Sequence, residues 1–291
     1  MKSGCLPIRY DPRDKNFTKM KFGATTLSMP VLGKTLGRIR RAAKDQAWSL
    51  SCTQQAINGA SEYQDKEELC PAWSWSRYCK KVGNFIPDGA DPREAMMIAI
   101  QEGLLPQRFA PLSFPKDDPQ VIGNWNNWPE LHDKAEPYKK AAYVQIPFVR
   151  DHFDSVRSAL KRMENDGTCV LAASGWYDSW IAARIPNRGG NLTGYHMYFF
   201  MDYDTIDGVE YLVAQNSYGA NKYDKGFQYF PREVVNREFA QYGCGLYFLV
   251  DMTPEQIALA RLDTPLGRIQ RQIIRAWEFF MLIAKQYARI H

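Results

Sequence analysis

Small and apolar residues recur at helical spacing from Ser51 to Gln64, with Ala56, Ala60 and Tyr63 on one face, and this pattern predicts a helix. Ser51 is a good N-cap and Gln54 would complete a capping box, so Cys52 falls at the first helical position. A second helix is expected over 71–82. A third opens at Asp91-Pro92-Arg93-Glu94, with proline just inside the cap, and stops at Gly103. Residues 106–140 are rich in Pro, Trp and Asn and read as an irregular excursion. Asp154 is the expected start of a further helix, with Phe153, Val156, Leu160 and Met163 on one side and Asn165-Asp166-Gly167 at its end.

Beyond Gly167 the period shortens from that of a helix to that of a strand. "TCVLAAS", "YHMYFFMDY", "VEYLVAQNS", "GFQYF" and "YGCGLYFLVD" follow in turn. Helices first and strands afterwards predict an α+β protein, a helical lobe packed against a largely antiparallel sheet. Past Pro265, Leu266, Ile269, Ile273, Trp277, Phe280, Ala284 and Tyr287 form an apolar seam whose other faces are mostly basic. The organisation expected is an N-terminal strap over 1–44, a main domain over 45–252 and a helical extension over 253–291. The helix over 266–290 either docks on its own domain or offers a contact to a protein partner or a second copy.

Composition narrows the function classes. The 291 residues are 45% hydrophobic and 24% charged, with a net charge of +5, an ordinary globular balance that does not point to nucleic acid. The basic run "GKTLGRIRRAAK" reads as a solvated strap. Its "GKT" is not a phosphate loop, because Ser28 stands where the leading glycine belongs. No apolar run is long enough to span a bilayer, and membrane contact is not expected. The N-terminus has no secretory h-region, so a cytoplasmic or particle-associated setting is expected. The six cysteines show no CxxC or Cys/His ligand spacing, so neither a metal nor another cofactor is expected, and free thiols are.

Four histidines leave a short search for a thiol's partner: His132, His152, His196 and His291. His196 follows the loop "NRGGNLTGY" and opens an apolar strand, and Asn216 closes another in "QNSYG". Alone, a cysteine is most often a small core hydrophobe and a strand-start histidine a structural residue. Cys52, His196 and Asn216 together, in this order, are far less expected by chance.

The combination resembles the papain-like cysteine peptidases, whose histidine and asparagine lie about 130–150 residues beyond the cysteine. "DQAWSLSC" is similar to the family's glutamine-to-cysteine segment, "GYHMYFFMDYD" to its histidine strand and "LVAQNSYG" to its asparagine segment. "SCTQQAINGASEY", "YDPRD", "SGWYDSW" and "KGFQYFP" are similar to its bacterial and viral branch. The resemblance runs from about residue 10 to 250 and implies a two-lobe fold and hydrolysis of a polypeptide substrate. It implies that Cys52 is the nucleophile, that His196 is the acid and base, and that Asn216 orients His196. Gln46 and the Cys52 N–H would stabilise the oxyanion.

Leu50, Ser51, Tyr195 and Tyr218 would line the substrate cleft, which departs from the family pattern. Ala47 and Leu50 replace glycines, large Tyr195 and Met197 flank the histidine, and Tyr218 stands for a tryptophan. The glycine pair of the usual S2 wall is not found. With barely 40 residues before the motif, an N-terminal prodomain removed by self-processing is not expected. Three readings stay open at this point: a cysteine peptidase, a papain-like structural or interaction protein of a larger assembly such as a virus or phage particle, and a thiol-dependent transferase.

Overall fold

A computed structural model describes residues 4–9, 35–47, 49–84, 88–110, 129–146 and 151–251. Trp48, the "YDPRD" stretch and the 266–290 seam lie outside the described residues.

The helices among the described residues are α1 (Cys52–Asp65), α2 (Pro71–Val82), α3 (Pro92–Gln101), α4 (Pro129–Ala135), α5 (His152–Arg162) and α6 (Arg232–Phe239). The strands are β1 (Lys140–Ile146), β2 (Val170–Tyr177), β3 (Leu192–Ile206), β4 (Val209–Gln215), β5 (Phe227–Pro231) and β6 (Gly245–Asp251). They form one sheet in the order β1-β6-β2-β3-β4-β5, with every neighbouring pair antiparallel. The architecture is α+β, as the change of period predicted.

Strand alternation decides which helices cover which face. Leu171, Ala173, Met197, Phe199 and Met201 point to the side packed by α1, α2 and α3. Val170, Ala172, Tyr198 and Phe200 point the other way, onto Phe153, Val156 and Leu160 of α5 and Val234, Val235 and Phe239 of α6. Each large apolar side chain buried in this way contributes about 1.5–3 kcal/mol.

Helix α1 is central, and every residue from Cys52 to Tyr63 is buried. Small side chains make that possible. A Cβ at Gly59 would lie 2.8 Å from the Phe199 ring, so glycine is what lets β3 approach so closely. The helix ends where Lys66 turns left-handed at φ 55°.

Several expectations need correction. The capping box at Ser51 does not form: its hydroxyl lies 2.6 Å from that of Ser49 and accepts from Gln55 Nε2 at 3.3 Å, which leaves the helix N–H groups uncapped by it. Helix α5 begins at His152, because Asp151, not Asp154, is the cap and accepts from the Asp154 N–H at 3.0 Å. The stretch 106–140, expected to be irregular, contains α4 and leads into β1, and α6 is a helix that the sequence pattern did not predict.

The basic strap is not simply solvated. Arg38 donates to the Thr168 carbonyl at 2.9 Å, Arg40 pairs with Asp224 at 2.9 Å, and Lys44 pairs with Glu62 at 2.5 Å. Residues 35–44 are therefore stitched to both lobes.

Lys140 is fully buried between Asp65 and Asp251, with Nζ 2.9 Å from the Asp65 carboxylate. Burial outweighs that partner and pushes the Asp65 carboxyl up to about 6. Lys140→Met is expected to cost about 2 kcal/mol in urea unfolding, below the ~3–5 kcal/mol of a broken buried pair, since Asp65 can take up a proton. The loss should be smaller at pH 5 than at pH 8, and an equal loss at both would contradict the account.

Candidate active site

Cys52 is the first residue of α1, so its sulfur sits at the positive end of a 14-residue helix, where a thiolate is favoured. Thr53 Oγ1 is 4.0 Å from the sulfur, and the backbones of Met197, Gly4 and Thr53 reach it as hydrogen-bond partners.

His196 lies on β3 opposite Ser174 of β2. Its Nε2 is 2.8 Å from Asn216 Oδ1, and Asn216 follows directly on β4. The asparagine cannot turn its amide over without loss. Its Nδ2 donates to Gln228 Oε1 at 2.8 Å, and Gln228 Nε2 donates to the carbonyls of Trp180 at 3.1 Å and Ala183 at 2.7 Å. Two backbone acceptors thus fix Gln228, Gln228 fixes Asn216, and the Asn216 oxygen selects the tautomer with the proton on His196 Nε2. That leaves Nδ1 as the free base, with the Tyr218 hydroxyl 3.5 Å away. The Tyr218 ring stacks on the imidazole at 4.9 Å, and the Trp176 ring packs beside both, 4.5 Å from the imidazole and 5.9 Å from Tyr218. An aromatic shield is present although the tryptophan of the family pattern is not.

Gln46 joins the cysteine loop to the asparagine loop. Its Oε1 accepts from Ser217 Oγ at 2.6 Å, its backbone N–H donates to the Ser217 carbonyl at 2.8 Å, and its Nε2 donates to the Ser49 carbonyl at 3.0 Å. One amide hydrogen of the residue expected at the oxyanion is therefore engaged locally. Ala47, beside it, adopts the left-handed φ of 46° that glycine takes more readily.

The cleft is occupied by the chain's own N-terminal segment. Cys5 N–H donates to the Tyr195 carbonyl at 3.2 Å, Leu6 N–H to the Ala90 carbonyl at 3.0 Å, and Ala90 N–H to the Gly4 carbonyl at 2.7 Å. Cys5 is bridged to Ala90 in parallel and to Tyr195 in antiparallel, so the segment pairs with both lobes at once. Gly4 presses on Leu50: a Cβ there would fall 2.0 Å from the Leu50 carbonyl oxygen. Leu50 and Tyr195 are half-buried, and Ser51 and Tyr218 are buried. Cys52 and His196 are wholly excluded from solvent.

Exclusion of water sets the charge state. Burial raises the Cys52 thiol above its ordinary value, although the backbone of Met197 and Gly4 opposes it. Burial likewise lowers His196 to about 4, against the Asn216 hydrogen bond. The closed site holds a neutral thiol and a neutral imidazole. Among the described residues, the sulfur's hydrogen-bond partners are Thr53, Met197 and Gly4, and the ring's are Asn216 and Tyr218. Thiol and imidazole are not bonded to each other in this conformation.

The closed chain superimposes on solved cysteine proteases. Xylellain, a cysteine protease from Xylella fastidiosa, matches over 86% of this chain and 96% of its own, at 19% identity and a TM-score of 0.69. The fold is papain-like. Digestive procathepsin L 3 of Tenebrio molitor larval midgut matches over 77% of this chain and 71% of its own, at 16% identity and a TM-score of 0.57. Bromelain from Ananas comosus, solved with the E64 inhibitor, matches over 76% of this chain and all of its own (100%), at 13% identity and a TM-score of 0.52. No protein-family model and no curated protein matches the sequence.

Within this papain-like frame the structure brings together Cys52, His196, Asn216, Gln46, Leu50, Ser51, Tyr195 and Tyr218 around one cleft. Sequence reasoning missed Gln228, the packing of Trp176 on the imidazole, and the segment Gly4–Leu6. Only the placement of Gln228 in "KGFQYFP" hinted at the first, and nothing local marks the last.

Proposed function

We propose that the chain is a papain-like cysteine peptidase, captured in a latent conformation, that hydrolyses peptide bonds through Cys52, His196 and Asn216. The observation that carries this reading is the amide relay from Gln228 through Asn216 to His196 Nε2, which leaves Nδ1 as the base. That nitrogen lies 3.5 Å from the hydroxyl of Tyr218, a ring that also feels the charge of Cys52 at the start of the central helix. A satisfied buried relay rigidifies a core, and here it also fixes which nitrogen of the imidazole carries the proton.

Departure of Gly4–Leu6 admits water and lifts the penalty on charge. The His196 pKa then rises, the Cys52 pKa falls, and the imidazole and thiol can form the reactive ion pair. A substrate strand takes the vacated backbone partners at Ala90 and Tyr195, between Leu50, Ser51 and Tyr218. The thiolate attacks the scissile carbonyl, with the Cys52 N–H and the Gln46 amide as donors to the oxyanion. His196 protonates the leaving amine and then takes a proton from the water that cleaves the thioester.

A specific observation favours a second reading, a papain-like structural or interaction protein. The thiol and imidazole are both fully buried and not joined. An epoxysuccinyl peptide probe separates the two. The peptidase reading expects native-state labelling of Cys52, abolished in Cys52→Ala and His196→Ala and in urea. If a variant whose N-terminal segment is displaced also takes no label and hydrolyses no peptide, the structural reading replaces it.

A further inference from the structure

The cysteine that the N-terminal segment carries into the cleft is buried in the same core cluster as Cys52. Cys5 is fixed by its backbone between Ala90 and Tyr195 and is only 6% exposed, and Cys52 is not exposed at all. The two thiols share one hydroxyl. Thr53 Oγ1 lies 4.0 Å from the Cys52 sulfur, and the same side chain hydrogen-bonds Cys5. Gly4, the residue before Cys5, reaches the Cys52 sulfur with its own backbone. In the closed state burial keeps both thiols protonated, so neither reacts readily there.

We propose that Cys5 is a resolving cysteine for Cys52, so that a peroxide converts the latent conformation into one locked by a Cys5–Cys52 disulfide. The inference rests on the assignment of Cys52 as the reactive thiol. When the segment lifts, the Cys52 thiolate attacks hydrogen peroxide. An S–O bond forms, the O–O bond breaks, and the departing hydroxide takes the thiol's proton as water. The product is a sulfenic acid. As the segment returns, before water is excluded, the Cys5 thiolate attacks the sulfenyl sulfur. The S–S bond forms, the S–O bond breaks, and the Cys5 proton leaves with the hydroxide as a second water. Two thiols and one peroxide give one disulfide and two waters, and a dithiol reductant reverses it. Capture at this stage keeps Cys52 from the irreversible sulfinic acid.

The test treats the full-length protein with hydrogen peroxide and maps disulfides by mass spectrometry of a non-reduced tryptic digest. The expected result is a peptide spanning 3–9 linked to one spanning 45–66, lost on treatment with dithiothreitol. The linkage should persist in Cys244→Ser, which removes the other thiol whose charge reaches Cys5. In Cys5→Ser the linkage is absent, Cys52 accumulates as sulfinic acid, and dithiothreitol no longer restores its alkylation. Linkage of Cys5 to Cys244 instead, or equal recovery of Cys52 in Cys5→Ser, overturns the proposal. The readout does not depend on hydrolysis. A linked but inactive protein would retain the lock and remove the peptidase reading, and an active protein without linkage would do the reverse.

Discussion

Valine in place of Gly4 is expected to raise the alkylation rate of Cys52 on the order of 100-fold, the factor that about 2.7 kcal/mol of docking energy represents. A Cβ at this position would sit 2.0 Å from the Leu50 carbonyl oxygen and 2.3 Å from its carbon. Both are backbone atoms and cannot swing aside. The segment must leave, and with it go the bonds from Cys5 to Tyr195, Leu6 to Ala90, Ala90 to Gly4 and Ile8 to Gly243. Each is worth about 0.5–1.5 kcal/mol net, and the burial of Cys5 and Ile8 adds to them. The ordering entropy of the released residues offsets part of the sum. Leu6→Pro, which deletes the donor to Ala90 without a clash at Leu50, should act in the same direction with a smaller effect. Thermal unfolding of the main domain should be little changed in either variant. An alkylation rate unaffected by both substitutions would mean that the segment does not guard the thiol.

Acid is expected to weaken the closed state through His196. The folded imidazole titrates at about 4 because it is buried, whereas an unfolded histidine titrates near 6.5. Its neighbours Asn216, Trp176, Tyr198 and Tyr218 carry no charge at neutral pH, so none holds a proton on it. Between those two values the unfolded chain binds more protons than the folded one. Stability from this group is therefore complete above pH 6.5 and is lost as the pH falls towards 4, by up to about 3 kcal/mol. Urea unfolding of the wild type and His196→Gln from pH 7 to pH 4 isolates the contribution, because other titrating groups cancel in the difference. The wild-type advantage should shrink across this window, and the imidazole NMR titration should show a midpoint near the buried value. Parallel stability profiles, or a midpoint near 6.5, would contradict the buried neutral ring. The same shift makes mild acid a means of loosening the segment from the cleft.

How the chain's information is divided is clearest at particular residues. The short apolar runs after Gly167 made the α+β class legible, because strands covered on both faces, as β2 and β3 are, read locally as near-continuous apolar segments. Asp91 and Pro92 marked the start of α3 for an equally local reason, a side chain bonded to N–H groups two and three residues ahead. Cys52 at the head of α1 and the pairing of His196 with Asn216 were legible through a combination of motifs, and the structure joins the last two at 2.8 Å. The Ser51 capping box failed because its hydroxyl found closer partners in Ser49 and Gln55.

By itself, then, the sequence determined α1, α2, α3, α5 and the strands after Gly167, with helices ahead of most of the sheet. It also marked Cys52, His196 and Asn216 as candidates, and all of these write periodic or positional patterns into a short stretch of chain. Only the tertiary structure decided that Gly4–Leu6 fills the cleft, that Gln228 aims Asn216, and that Cys5 is buried in one cluster with Cys52. Each of these depends on hydrogen bonds between segments far apart in sequence, whose register is set by the packing of both lobes and leaves no local trace. The charge state of the site was decided there too. A thiol at a helix start and a strand histidine suggest an ion pair, and the exclusion of water by a remote segment makes them neutral.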